Sequence, residues 1–162
     1  TYNNINALGN AWFVDTVQWV NNTNEELDQL HRFNPKKTVI INSKYQKQIN
    51  QSRFEINGSV DLITYEPNRL VYNMSSEKSS FVVFSEIFYP KGWKAYIDGN
   101  FVEHFPVNYI LRGLVVPSGA HEIVFEFKPK SFFVSAQVSL FASCLLIITG
   151  LITCLRLFVL KK

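Results

Sequence analysis

Three histidines, His31, His104 and His121, are the first residues that could do metal or acid–base chemistry. No two of them stand at metal-ligand spacing, and HExxH does not occur, so neither a metal nor a cofactor is expected. GxSxG, the P-loop and GxGxxG are absent as well. Ser85-Glu86 is the nearest approach to a nucleophile–acid pair, but neighbouring strand residues project to opposite faces and cannot cooperate directly. Two carboxylates about 5–9 Å apart would suit glycoside chemistry. The candidates are Glu86, Asp98, Glu103, Glu122 and Glu126. A turn accounts for Asp98, and the wet face of a strand accounts for Glu122 and Glu126. Glu86, inside an otherwise apolar strand, is the odd one. Buried charges are normally paired, so the ordinary expectation is a partly buried carboxylate held by Arg112 or Lys94. No catalytic residue is assigned.

The aromatic residues point further. Tyr89, Trp93 and Tyr96 sit around a Pro-Lys-Gly loop close to Asp98. Rings with polar neighbours suit the apolar face of a sugar, or the boundary of a lipid headgroup. Ordinary packing of the loop onto a core is the competing account. Tyr89, Trp93 and Tyr96, with Glu86 and Arg112, are the candidate ligand-binding residues.

The elements that must position them read as strands. Ser80–Phe88 (SFVVFSEIF) is apolar on both faces, as a central strand is. Pro90 and Gly92 break it. Trp93–Ile97 follows, then Asp98-Gly99, a tight-hairpin signal because such a turn needs positive φ. Phe101–Phe105 is the return strand, which Pro106 limits to an edge or a bulge. Tyr109–Val116 and His121–Phe127 are further strands about a Pro117-Ser118-Gly119 turn. Upstream, Val60–Glu66 and Leu70–Met74 predict a hairpin around Pro67-Asn68, and Lys37–Ile41 a short buried strand. Asn24–Phe33 predicts a helix capped by Asn24. Ala11–Val14 adds an edge strand. Many short strands with turns between them predict a mainly β fold, a β-sandwich or jelly roll with one or two short helices.

Composition sets the context. A chain with 47% hydrophobic and 15% aromatic residues is too apolar for a disordered tail. Residues 1–130 carry 13 Lys+Arg and all 13 Asp+Glu, so the net +3 comes from Arg156, Lys161 and Lys162. That balance leaves no basic footprint for nucleic acid. Between Lys130 and Arg156 lie 25 residues without a charge, enough for one transmembrane helix. Cys144 and Cys154, about 15 Å apart along such a helix, cannot pair within it. Three cations follow the apolar run against Lys128 and Lys130 before it, which places the C-terminus in the cytoplasm and residues 1–130 outside. The expected organisation is a 1–130 extracytoplasmic sandwich domain and a 131–162 transmembrane helix with a short basic tail. With no Met at position 1 and no visible signal peptide, Thr1 reads as an internal point in a longer polypeptide.

ALGNAWFV (Ala7–Val14), FNPKKTVII (Phe33–Ile41), FSEIFYPKGWKAYIDG (Phe84–Gly99) and LRGLVVPSGAHEIVFEFKP (Leu111–Pro129) resemble the C-terminal region of YfhO-family bacterial membrane proteins, in particular the Bacteroidetes type. The resemblance covers essentially the whole chain, and YPKGWKAYIDG is its most specific part. It implies a polytopic parent whose architecture is similar to GT-C glycosyltransferases that use lipid-linked sugars. It also implies a bacterial inner-membrane location, with upstream transmembrane helices of the same chain as neighbours. In such enzymes the catalytic carboxylate lies in an early extracytoplasmic loop, outside this sequence. The part in hand is then a non-catalytic outer domain and last helix, whose partners are the bilayer and either a glycan or an envelope protein. A membrane-anchored carbohydrate-binding or partner-docking module without enzymatic role is the alternative.

Overall fold

The computed structural model describes residues 7–159. It divides into two compact units after Phe127. The first is built of strands β1 (Ala11–Val14), β2 (Thr16–Val20), β3 (Thr38–Asn42), β4 (Gly58–Glu66), β5 (Arg69–Ser76), β6 (Ser80–Ile87), β7 (Trp93–Ile97), β8 (Asn100–Val102), β9 (Phe105–Val107), β10 (Leu111–Val116) and β11 (Gly119–Phe127). Helix α1 (Thr23–Gln29) joins β2 to β3; a 3-10 turn (Ser43–Tyr45) and the short α2 (Gln46–Ile49) follow β3. Helix α3 (Lys130–Val159) is the second unit's element.

The strands form a four-stranded sheet in the order β1-β6-β10-β9, a five-stranded sheet in the order β4-β5-β11-β7-β8, and a parallel β2-β3 ribbon. The mainly β, sandwich-like fold expected from the strand pattern is therefore present. One core lies between the two larger sheets. Phe13, Val82, Phe84 and Leu114 come from the four-stranded sheet, and Leu70, Tyr72, Ile123 and Phe125 from the other. A second core joins the opposite face of the four-stranded sheet, through Val14, Phe81, Val83 and Val107, to the ribbon residues Val17, Val39 and Ile41. The four-stranded sheet is thus covered on both faces, which is the physical reason Ser80–Phe84 has no polar alternation. Phe81 through Phe84 are all fully buried. At β6's far end the cover stops, and Ser85 and Ile87 are exposed.

Two expectations are corrected. Helix α1 begins at Thr23 and is capped by Asn22, not Asn24: the Asn22 side chain accepts from Glu25 N at 2.9 Å, and Glu25 reaches back to Asn21 N at 2.8 Å. The first bond satisfies one of the free N–H groups of the helix, and the second holds the residue before the cap. The helix ends at Gln29, well before Phe33, as the Leu30 N–H turns to Leu27 O. The single return strand expected over Phe101–Phe105 is two strands in different sheets. β8 pairs with β7 in the five-stranded sheet, and β9 pairs with β10 in the four-stranded sheet. Glu103-His104 carries the chain across. Pro106 lies on the edge strand β9, where its missing N–H costs no ladder bond.

The β7–β8 turn has the left-handed backbone its Asp-Gly sequence predicts, with φ of 49° at Asp98 and 79° at Gly99. Asn108 and Tyr109, also at positive φ, lead into β10. Asn108 exchanges bonds with Ile40, giving its N–H to Ile40 O and accepting Ile40 N on Oδ1, each at 2.9 Å. The buried Glu26 carboxylate accepts the Tyr109 N–H at 2.8 Å. Burial raises the pKa of Glu26 against the opposing effects of that bond and of Lys44. These contacts fasten α1 and the ribbon to the β9–β10 connection.

Within α3, Val134–Thr153 is a 20-residue stretch long and apolar enough to cross a membrane. Several of its hydroxyls are satisfied inside the helix. Ser143, Thr149 and Thr153 donate to the carbonyls of Ser139, Leu145 and Thr149 at 2.8, 3.0 and 2.7 Å. A helix whose side-chain donors turn back on its own backbone leaves little for lipid to solvate.

Candidate functional site

β6 leaves its sheet at Ile87, and the chain turns through Tyr89, Pro90, Lys91 and Gly92 into β7. The Tyr89 carbonyl accepts from Gly92 N at 3.2 Å and Trp93 N at 3.0 Å, which closes the turn. Gly92 is required because a Cβ there would lie 2.1 Å from the Phe127 ring. That ring is the platform of the loop: Tyr89 stacks on it at 6.3 Å and Trp93 tilts against it at 5.3 Å.

Arg112 on β10 reaches the same place from the four-stranded sheet. It is 1% exposed, and its Nε donates to Ile87 O at 2.9 Å. Its guanidinium carbon lies 4.3 Å from the centre of the Trp93 ring and 5.1 Å from that of Phe125. The expected ion pair of Glu86 with Arg112 or Lys94 is not formed; aromatic faces take the place of the carboxylate. A ladder irregularity explains the displacement. Leu111 pairs with Ile87 but Arg112 with Phe84, so Ser85 and Glu86 bulge without partners on β10. Glu86 still acts on Arg112 through space. Desolvation lowers the arginine's pKa, and Glu86 opposes that shift.

The sequence-derived candidates therefore divide. Tyr89, Trp93 and Arg112 come together around Phe125 and Phe127, with Glu86 nearby. Tyr96 does not join them: it is on the other face of β7, edge-on to Phe101 at 6.1 Å. Asp98 closes the far end of that hairpin, where its carboxylate accepts Glu122 N at 2.9 Å and meets His121 Nδ1 at 2.6 Å.

A groove of about 330 Å³ opens at the edge of the sandwich where the chain changes sheets. Trp93 and Lys94 of β7, Phe101 of β8, Glu103 and His104 of the crossing, and Tyr45 of the 3-10 turn are among its lining residues. Sequence reasoning singled out Trp93, weighed Lys94 only as a partner for Glu86 and Glu103 only as one of several carboxylates, and missed Tyr45 and Phe101. Tyr45 is more than 40 residues distant in the chain, and His104 was considered only for metal spacing. The signal that could have found His104 is its place beside Pro106, where the strand has to end.

His104 is 9% exposed, and its Nε2 has no hydrogen-bond partner among the described residues. Its ring packs 5.1 Å from Phe88 and 5.6 Å from Phe125. Burial, helped by the Arg112 charge, lowers its pKa to about 4, so the imidazole is neutral at neutral pH. Chemically, the groove offers aromatic walls, one ammonium, one carboxylate and one neutral imidazole. Such a set can hold an uncharged, hydroxyl-bearing ring by stacking and edge hydrogen bonds. Among the described residues no group of three or more His, Cys, Asp or Glu side chains is placed to hold a metal.

A model of the family described as bacterial membrane protein YfhO matches residues 30–139. No curated protein and no solved structure matches the chain.

Proposed function

The chain belongs to the YfhO family of bacterial membrane proteins, and from that premise we propose that it is the outer domain and last transmembrane helix of a polytopic glycosyltransferase of the cell envelope. In this reading the parent protein moves a sugar from a polyprenyl-phosphate carrier to a surface glycan or glycolipid. Residues 1–130 stand on the extracytoplasmic side, the basic end in the cytoplasm, and the catalytic carboxylate on a segment ahead of Thr1. The strand-built body presents glycan to that segment. The groove of Trp93, Phe101 and Tyr45 carries this reading, since aromatic walls with a few polar groups are what a sugar acceptor needs.

The test uses the full-length protein. Envelope glycans and glycolipids from a deletion strain are compared by mass spectrometry with those of strains complemented by wild type or by a protein lacking the strand-built body. The expected result is loss of one defined sugar on deletion, restored by wild type alone. An envelope of unchanged sugar composition in the deletion strain overturns the glycosyltransferase reading.

One observation favours a second reading, a docking module without enzymatic role. Ile87, Tyr89 and Ile110 are 66%, 48% and 49% exposed, and Phe88 N bonds Ile110 O at 2.7 Å, so the three share one end of the sandwich. An apolar patch of this kind suits an envelope protein partner. A partner that co-purifies with the full-length protein and is lost in Ile87→Ser/Ile110→Ser would favour it.

A further inference from the structure

We propose that the end of the strand-built body bearing Tyr65, Ile87, Tyr89 and Ile110 is a lipid-binding surface, which rests in the headgroup layer of the bilayer that α3 crosses. This goes beyond the reading above: it needs α3 as an anchor and is independent of any sugar transfer.

Three observations carry it. The first is the tether. Tyr89 stacks on Phe127, and Phe127 N donates to Asn68 O at 2.8 Å, so the β6–β7 loop and the β4–β5 turn share the end where β11 finishes. The bond from Phe88 N to Ile110 O brings the start of β10 to the same place. Only Lys128 and Pro129 separate Phe127 from the first residue of α3, so chain length alone keeps Phe127 within about 11 Å of that residue. Four more helical residues, about 6 Å, lead to Val134, where the apolar span begins. The opposite end of the body is reached only after β11 has run about 27 Å back to Gly119.

The second is the kind of residue. Tyr65, Ile87, Tyr89 and Ile110 are all exposed large hydrophobic residues. Isoleucine gains by leaving water, and tyrosine suits a boundary that is apolar on one side and wet on the other. At the opposite end the turns Glu77–Ser79, Asp98–Asn100 and Pro117–Gly119 hold no aromatic or branched aliphatic side chain. The third is charge. Lys91 in the loop and Lys128 in the tether are exposed, and Lys130 opens α3. The acids near this end are Glu66, opposite Arg69 in the ladder, and the half-buried Glu86 and Glu126. Lysines around an apolar patch suit anionic headgroups, since their stems lie along the apolar surface while the ammonium reaches the phosphate. The docking reading gives this patch to an envelope protein; the short tether and the lysines favour lipid.

The experiment uses the whole 162-residue chain in nanodiscs of phosphatidylcholine, with and without phosphatidylglycerol. Isoleucine methyl signals are recorded by NMR before and after a lipid with a nitroxide on its headgroup is added. Ile56 is the control, equally exposed but next to Asn57, which bonds Glu77 near the opposite end. The expected result is broadening of Ile87 and Ile110 at least threefold greater than that of Ile56. It should fall at least twofold without phosphatidylglycerol, and likewise in Lys91→Glu, an exposed change that retains the unfolding temperature. In the full-length protein, benzoylphenylalanine placed at position 110 and photolysed in intact cells should form a lipid adduct. The proposal is overturned if Ile87 and Ile110 broaden no more than Ile56, or if the adduct is a protein, either an envelope partner or another segment of the parent. Broadening that ignores both phosphatidylglycerol and Lys91→Glu overturns the part given to the lysines. None of these outcomes bears on the loss of sugar in the deletion strain, so the two readings fall separately.

Discussion

The guanidinium of Arg112, on one sheet, lies 4.3 Å over the indole of Trp93, on the other. This contact ties the two layers of the sandwich at the end where the core gives way to solvent. It also explains how a 1% exposed arginine is tolerated without an ion-pair partner. Nε donates to Ile87 O, the charge rests on Trp93 and Phe125, Glu86 acts from a distance, and Nη1 has no hydrogen-bond partner among the described residues. Cation–π contacts that are shielded from water contribute about 2 kcal/mol.

Arg112→Lys should therefore be more damaging than Arg112→Met. Lysine keeps a buried charge but loses the planar group that stacks and donates through Nε. Methionine gives up the charge and keeps an apolar stem, which removes the desolvation problem along with the attraction. We expect a loss of about 1–3 kcal/mol for Arg112→Lys and a smaller one for Arg112→Met, measured by thermal unfolding of the chain in detergent. The reverse order would show that the charge itself, and not the stacking, holds the site.

Gly92→Ala should loosen the aromatic loop. The added Cβ meets Phe127 Cε2 at 2.1 Å, and Phe127 supports both Tyr89 and Trp93. Overpacking of this kind costs about 1–3 kcal/mol. A lower unfolding temperature together with a red-shifted tryptophan emission is the expected outcome. An unchanged spectrum would mean that Phe127 yields without moving Trp93.

His104 makes the body acid-sensitive. Its folded pKa, about 4, lies below the ordinary 6.5, because burial disfavours the cation. Between those values the unfolded chain takes up a proton that the folded chain refuses. Stability should thus fall as pH drops from 6.5 toward 4, by up to about 3 kcal/mol. His104→Phe should flatten that part of the curve. Chemical denaturation at a series of pH values checks it, and an equal slope in both proteins would remove His104 as the cause.

The His121–Asp98 pair acts with the opposite sign at its upper limit. The Asp98 hydrogen bond raises His121 above its ordinary 6.5, and the His121 hydrogen bond lowers Asp98 below its ordinary 3.8. The histidine's contribution is complete below 6.5 and fades as pH rises through its raised value. The aspartate's is complete above 3.8 and fades as pH falls through its lowered value. The pair thus supports the β7–β8 hairpin chiefly between these limits, and at the surface it is weakened by salt. His121→Gln should abolish the stability loss just above pH 6.5, with little change in high salt. A loss that persists in the variant points to another group.

Topology is open to a direct measurement. Residues 7–127 contain no cysteine, and Gln51 is exposed. In the protein with all its other cysteines replaced, Cys144 and Cys154 included, Gln51→Cys should react with a membrane-impermeant maleimide in intact cells. Labelling only after the membrane is permeabilised would put the body in the cytoplasm.

Much of this architecture follows from the order of residues alone. Continuous burial of Phe81–Phe84 required a sheet covered on both faces, Asp98-Gly99 required a left-handed turn, and 25 uncharged residues required an apolar helix. These are local effects, set by period, backbone sterics and solvation over a few neighbours. The short parallel strand Thr16–Val20 was not legible, because a polar Gln18 and a partner 22 residues away leave no local pattern. The pairing of Arg112 was not legible either, since its partner depends on a two-residue bulge that shifts Glu86 out of register. Tertiary structure alone brought Tyr45, Phe101 and His104 to one groove: the chain changes sheets at Glu103-His104, and no short-range signal states which distant segment will lie against that crossing.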